Sequence, residues 1–196
     1  QLTKYPSITR PVIEASGGEV NGGLTDALKS AEEMLEDGAA SDAAEVFSAI
    51  IEEDNQNVKA YSGLARAKLD LEDIEGAEAV LNGVPADISD SPEIEAVFAK
   101  IALARQALDV GPLSELEAVV ASDPSNSKAR FEYSQALYAA DNIDEAVAEL
   151  LELFRRDSEW NDGAAKAQLF TIFDALEPSD PIVLNGRRKL SSMIFA

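Results

Sequence analysis

The chain contains no cysteine and no histidine. Without cysteine there are no disulfides and no thiol chemistry. Without histidine the imidazole general base is missing, and so are the usual zinc ligands. No apolar run approaches the roughly 20 residues needed to cross a bilayer, and no secretory leader is visible. Phosphate-cradling loops are missing too, since Gly17-Gly18 and Gly22-Gly23 have no Lys-Ser/Thr after them. Basic side chains are scarce: 16 Lys and Arg stand against 37 Asp and Glu, for a formal charge of −21. A surface this acidic repels phosphate backbones and anionic lipid, which argues against nucleic acid or a membrane as partner.

What is present is ordinary in bulk. Apolar residues make up 46% and charged residues 27% of 196 positions, enough to bury a core either as one domain or as a one-dimensional stack. The chain opens on Gln1 rather than methionine, as a piece of a longer protein would, or one whose leader has been removed. Charge is uneven. Residues 1–127 carry 25 acidic and 8 basic side chains, residues 128–196 carry 12 and 8. The C-terminal third is therefore the less repulsive place for an acidic or apolar partner.

One pattern recurs at a fixed offset. Ala43 and Phe47 precede an Asp54-Asn55-Gln56-Asn57 turn; Tyr61, Leu64 and Ala65 follow; a polar break at Glu72-Asp73 leads to Ala77 and Leu81. Ala43 to Ala77 is a step of 34, as is Phe47 to Leu81. That is the period of the tetratricopeptide repeat, a helix–turn–helix unit that cannot bury both apolar stripes alone and so stacks on its copies. The expected fold is an all-α, tetratricopeptide-like, right-handed helical solenoid of about ten helices. Ala65 and Ala77 let the helices of one unit approach, while Tyr61, Leu64 and Leu81 fill the surrounding space.

Residues 1–23 read as a linker or an N-terminal strap, punctuated by Pro6, Pro11, Gly17, Gly18, Gly22 and Gly23. Residues 24–196 read as repeats: 24–57, 58–91, a divergent 92–126, 127–159, and a C-terminal helix pair 160–196. The first helix is expected to begin at Thr25-Asp26 and to stop at Gly38; Ser41-Asp42 opens the next. Ser91 caps a long helix with Pro92 at its first position, carrying Ile94, Val97, Phe98, Ile101, Ala102 and Leu108 inward. Gly111-Pro112 breaks it, and Leu113, Leu116 and Val120 mark a short partner. From Ser127 the register returns, with Ala146 lying 69 residues beyond Ala77, two periods and one insertion. Trp160 is expected to start the ninth helix as a core residue. Asp180 and Pro181 open the tenth.

The closing pair carries a sharper signature. Trp160-Asn161-Asp162-Gly163-Ala164-Ala165, Gln168-Leu169-Phe170, Asp180-Pro181 and Arg187-Arg188-Lys189-Leu190-Ser191-Ser192 occur in this order. The stretch from 24 to 196 resembles the C-terminal tetratricopeptide region of the bacterial thioredoxin-fused co-chaperones called chaperedoxins. That resemblance implies a cytoplasmic parent with an N-terminal thioredoxin-like domain. It also implies work as a co-chaperone that holds unfolding or oxidised clients, guards their thiols and passes them to the chaperonin. In such proteins the last helix, here Asp180 to Phe195, is implicated in docking the chaperonin.

Two candidate surfaces follow. The concave groove of a solenoid is lined by the first helix of each unit: Lys59, Ser62, Arg66 and Leu69 from the second, Lys128, Phe131, Gln135 and Tyr138 from the fourth. Leu28 and Glu32 stand at the equivalent places of the first unit, so the Lys and Asn of a carboxylate clamp are not there. On the last helix, Arg187, Arg188 and Lys189 steer an acidic partner while Met193, Ile194 and Phe195 anchor it. The bland account of the same residues is a basic last turn facing the helix dipole, with Leu190, Ile194 and Val183 simply packed. Glu32-Glu33 with Glu36-Asp37, and Glu52-Glu53-Asp54, lack a calcium-loop framework, as does Asp157 to Gln168; no metal or cofactor is expected.

Binding is therefore the expected function: unfolded or oxidised clients, the chaperonin, or both, with homo-oligomerisation open. The alternative is a structural scaffold or dimerisation domain that positions the missing domain without touching clients. A hydrolase built from clustered carboxylates is a third reading, for which nothing singles out a pair; this fragment is not expected to be an enzyme.

Overall fold

The 34-residue step becomes a pair of helices repeated along the chain in the structure, a computed structural model that describes residues 19–195. The helices are α1 (Glu19–Glu36), α2 (Ala40–Glu53), α3 (Val58–Asp70), α4 (Ile74–Asn82), α5 (Pro92–Leu108), α6 (Leu113–Ser122), α7 (Ser127–Ala139), α8 (Ile143–Arg156), α9 (Ala164–Ala175) and α10 (Pro181–Ile194), with a 3-10 turn at Trp160–Gly163. No strand occurs among the described residues.

Local chemistry sets the boundaries. Gly38 takes φ +79° just past α1; its amide donates to Leu35 O at 3.1 Å, and the Ala39 amide to Met34 O at 2.8 Å. These are the two bonds of a Schellman C-cap, which glycine enters without a Cβ penalty. At the other kind of joint, Asn57 Oδ1 accepts from Ala60 N at 3.1 Å, satisfying one of the amides a helix start leaves orphaned. Asn126 repeats this on Ala129 N at 3.0 Å. Asp73 does the same for Gly76 N at 2.9 Å.

The first helix departs from expectation. It begins at Glu19, so Gly22 and Gly23 lie inside it, with open space where their Cβ atoms would be. Glycine weakens a helix by about 1 kcal/mol without forbidding it. The linker-or-strap reading loses residues 19–23 to α1, and its remainder, 1–18, lies outside the described residues. The second helix likewise opens at Ala40, capped by Ala39 without a side-chain bond. Ser91 is the N-cap residue of α5 as expected, yet its hydroxyl makes no capping bond and is buried without a partner.

The core runs as three consecutive clusters. Phe47, Ile50 and Leu64 centre the first across α1–α3; Ala65, Ala77, Leu81 and Ile94 centre the second across α3–α5. Ala65 and Ala77 are wholly buried, where small side chains let helices close on each other. The third cluster gathers α5, α8, α9 and α10 through Leu103, Leu150, Leu169, Phe173 and Val183.

Two features break the simple stack. The third unit is not a closed hairpin: α6 packs on α7 and meets α5 only marginally, whereas α5 packs on α3, α4, α7 and α9. Leu108 is accordingly 74% exposed, and Phe98 is exposed as well, against the expectation that both face inward. No small residues draw α5 and α6 together across the Gly111-Pro112 connection. The second break is at α9, which packs on α5 and α8 and so folds back toward the middle of the chain. Trp160 does not start that helix. Asn161, Asp162 and Gly163 all take left-handed dihedrals, at φ 47°, 57° and 79°, residue types that tolerate this region best, and α9 begins after them.

Candidate protein-binding surfaces

Every first helix presents one position to the same rung of a ladder: Glu32 on α1, Arg66 on α3, Lys100 on α5, each 34 residues from the last, then Gln135 on α7. Arg66 Nη2 donates to both Glu32 carboxylate oxygens at 2.5 and 2.6 Å. Lys100 faces the same space, and burial together with the neighbouring Arg66 charge pulls its ammonium below the usual lysine range. Two adjoining hollows of about 350 and 240 Å³ share Glu32, Arg66 and Lys100.

Of the expected groove residues, Lys59, Ser62 and Arg66 line the larger hollow and Arg66 and Leu69 the smaller. Lys59 is exposed; Ser62 is buried and its hydroxyl donates to Lys59 O at 3.2 Å. Ala175, Leu176 and Glu177, at the end of α9, complete the wall. The fourth unit differs. Phe131 stacks against Trp160 with ring centroids 5.3 Å apart, and Phe131 and Tyr138 pack on the C-terminal core. Gln106 Oε1 accepts from Gln135 Nε2 at 3.2 Å and from the buried Gln168 Nε2 at 2.6 Å. Because α9 folds back on α5, three of these four side chains meet the chain itself; Lys128 alone stays exposed, in an ion pair with Glu132 at 3.6 Å.

At the C-terminal end a larger cleft, of about 890 Å³, opens between the end of α8, the left-handed turn, α9 and the end of α10. Phe154, Phe170, Met193 and Ile194 give it an apolar lining, and Arg155, Glu159, Asp162 and Lys166 a charged one. Phe170 is 41% exposed, Ile194 44% and Phe195, just past the helix, 85%. Met193 is half-buried against the core. The basic triplet sits elsewhere. Because α10 runs on to Ile194, its last turn holds no base, so the dipole account fails. Arg187 pairs with Asp174 at 3.3 Å and lies 5.8 Å over the Phe173 ring. Arg188 donates to Asn185 Oδ1 at 3.1 Å, and Lys189 shares a shallow hollow with Asp144 and Glu145.

Lys100, Phe154, Lys166 and Phe170 were not among the expected site residues. Lys100 was within reach, since one more step of 34 from Arg66 lands on it. The cleft residues were not, because the cleft exists only once α9 turns back. No group of acidic side chains that could hold a metal ion occurs among the described residues, and no helix there is long and apolar enough to cross a membrane.

Two family models, each described as tetratricopeptide repeat, match residues 34–101 and 106–195. With ten helices in paired order, the chain is an all-α, tetratricopeptide-like helical solenoid, a class of protein-interaction module that is generally non-catalytic. Among particular proteins, it is similar to an uncharacterised protein of Haemophilus influenzae, 27% identical over 131 residues, 67% of this chain and 59% of that protein. The match thus spans under two thirds of the relative's length. The chain is also similar to a domain of protein VP0806, of unknown function, from Vibrio parahaemolyticus, at 25% identity and a TM-score of 0.40, covering 86% of this chain and 98% of that one.

Proposed function

We propose that this chain is the partner-binding part of a cytoplasmic thioredoxin-like co-chaperone, holding apolar segments of unfolding clients, of the chaperonin, or of both, in the C-terminal cleft. The observation that carries the reading is the cleft itself. Its volume of about 890 Å³ suits a few large side chains. Exposed aromatic and aliphatic groups at Phe170, Ile194 and Phe195 stand together where the chain carries least excess negative charge. Burying about 100 Å² of apolar surface there contributes about 2.5 kcal/mol, a strength that permits release. The strongly acidic residues 1–127 keep a loaded complex soluble. The co-chaperone assignment also draws on the resemblance of the 160–192 motif.

The test is suppression of aggregation of reductively unfolded lysozyme, read by light scattering, with the double variant Ile194→Ser, Phe195→Ser. Both side chains are exposed, so the helical circular dichroism should hold while suppression falls several-fold. Undiminished suppression rejects the cleft. Sedimentation as a dimer with no client association would instead support a scaffold. Deleting residues 187–196 is the wrong probe, because Leu190 is buried in the core.

A further inference from the structure

We infer that the hollow at Lys100 is a second binding site, one that takes an extended peptide segment by a Glu or Asp side chain seated between Lys100, Lys59 and Arg66. The inference does not depend on the C-terminal cleft.

The ladder gives the reason. On its first two rungs Glu32 and Arg66 satisfy each other, and on its last Gln135 is held by Gln106. Lys100 is the rung left over. It is half-buried yet makes no hydrogen bond and no ion pair within 4.0 Å among the described residues. In a chain with more than twice as many acids as bases, counter-ions are abundant, so a half-buried cation left without one is a cost the fold has not relieved. Lys59, on the wall of the same hollow, is unpaired as well. A carboxylate supplied from outside would complete the set with charge-assisted bonds.

Geometry selects which carboxylate. Arg66 and Lys100 line both hollows and so stand where the two meet, with Ala96 and Leu176 to one side and Leu35 and Leu69 to the other. A chain end would need a wall at the cations. This trough continues past them, which suits a side chain in mid-segment with an apolar residue close by in sequence for Leu35 and Leu69.

The probe is the blocked peptide acetyl-Gly-Glu-Ala-Leu-Gly-amide, titrated into the full chain by amide chemical shifts. Its Gln counterpart and acetyl-Gly-Gln-Ala-Leu with a free terminal carboxylate serve as the other arms. The Glu peptide should bind about tenfold or more tighter than the Gln peptide. Lys100→Met should abolish that preference without lowering the thermal midpoint, since it removes an uncompensated charge. Lys59→Gln should reduce the preference in part, and Ile194→Ser with Phe195→Ser should leave it intact. Equal binding of Glu and Gln peptides, no binding of either at millimolar concentration, or a preference that survives Lys100→Met overturns the site. Tighter binding of the free-carboxylate peptide overturns it too, in favour of chain-end recognition.

Discussion

Glu72 and Asp141 stand 69 residues apart and hold the same left-handed backbone, at φ 60° and 62°. Each closes a first helix as Gly38 does, 34 residues before Glu72. Glu72 N donates to Leu69 O at 2.9 Å and Asp73 N to Lys68 O at 2.9 Å. Asp141 N donates to Tyr138 O at 3.0 Å and Asn142 N to Leu137 O at 2.9 Å. The repeat is therefore written in the dihedrals as well as in the side chains.

From this follows a graded set of substitutions. Left-handed backbone costs an L-residue about 1–2 kcal/mol, offset in part by the chain entropy that glycine brings to the unfolded state. Glu72→Gly should stabilise by up to about 1 kcal/mol, and Asp141→Gly by less, since Asp tolerates this region better. Gly38→Ala should destabilise by about 1 kcal/mol. Urea midpoints of the three variants check the order; Glu72→Gly less stable than the parent would mean that the two cap bonds do not set this turn.

The interior makes a sharper demand at Gly63. A Cβ there would lie 2.5 Å from Phe47 Cε1 and 2.8 Å from Cε2, and Phe47 is wholly buried, so the ring has nowhere to retreat. Gly63→Ala should cost about 1–3 kcal/mol, and Gly63→Ala with Phe47→Leu should cost less than the two changes summed. Thermal unfolding of the four-member cycle measures this. Strict additivity would place the two groups out of contact.

The sequence carried the parts of the fold that depend on neighbours within one unit. The Ala65 and Ala77 contact, the Gly38 stop, Pro92 and Pro181 at first helical positions and the one-residue insertion before Ala146 are all fixed by spacing and local chemistry. What spacing cannot see is which unit a helix chooses to pack against. Trp160 and the left-handed Asn161-Asp162-Gly163 turn redirect α9 onto α5. That single choice converts Phe131, Gln135 and Tyr138 from expected groove to interior contacts and creates the cleft around Phe170. The early start of α1 was hidden for a simpler reason: two glycines read as breakers when they merely weaken.

Acid should act first on the α8 terminus. Glu152 Oε2 accepts from Arg155 Nε at 2.8 Å, and its Oε1 from Arg155 Nη2 at 2.8 Å and Arg156 Nε at 2.5 Å. Arg156 Nη1 in turn donates to Pro124 O at 2.6 Å, fastening α8 to the α6–α7 connection. The side-chain bonds from Arg155 and then Arg156 hold the Glu152 carboxyl at about 2, against an ordinary 4.5. A carboxyl whose folded pKa is depressed contributes its full stability above the unfolded value and loses it as pH falls through the folded one, so the window runs from 4.5 down to about 2. Glu152→Gln should lower the urea midpoint at pH 7, and the gap between variant and parent should close across that window. High salt should narrow the gap at neutral pH, since both arginines are exposed. A gap that stays constant down to pH 2 would show that the carboxylate charge contributes nothing to this joint.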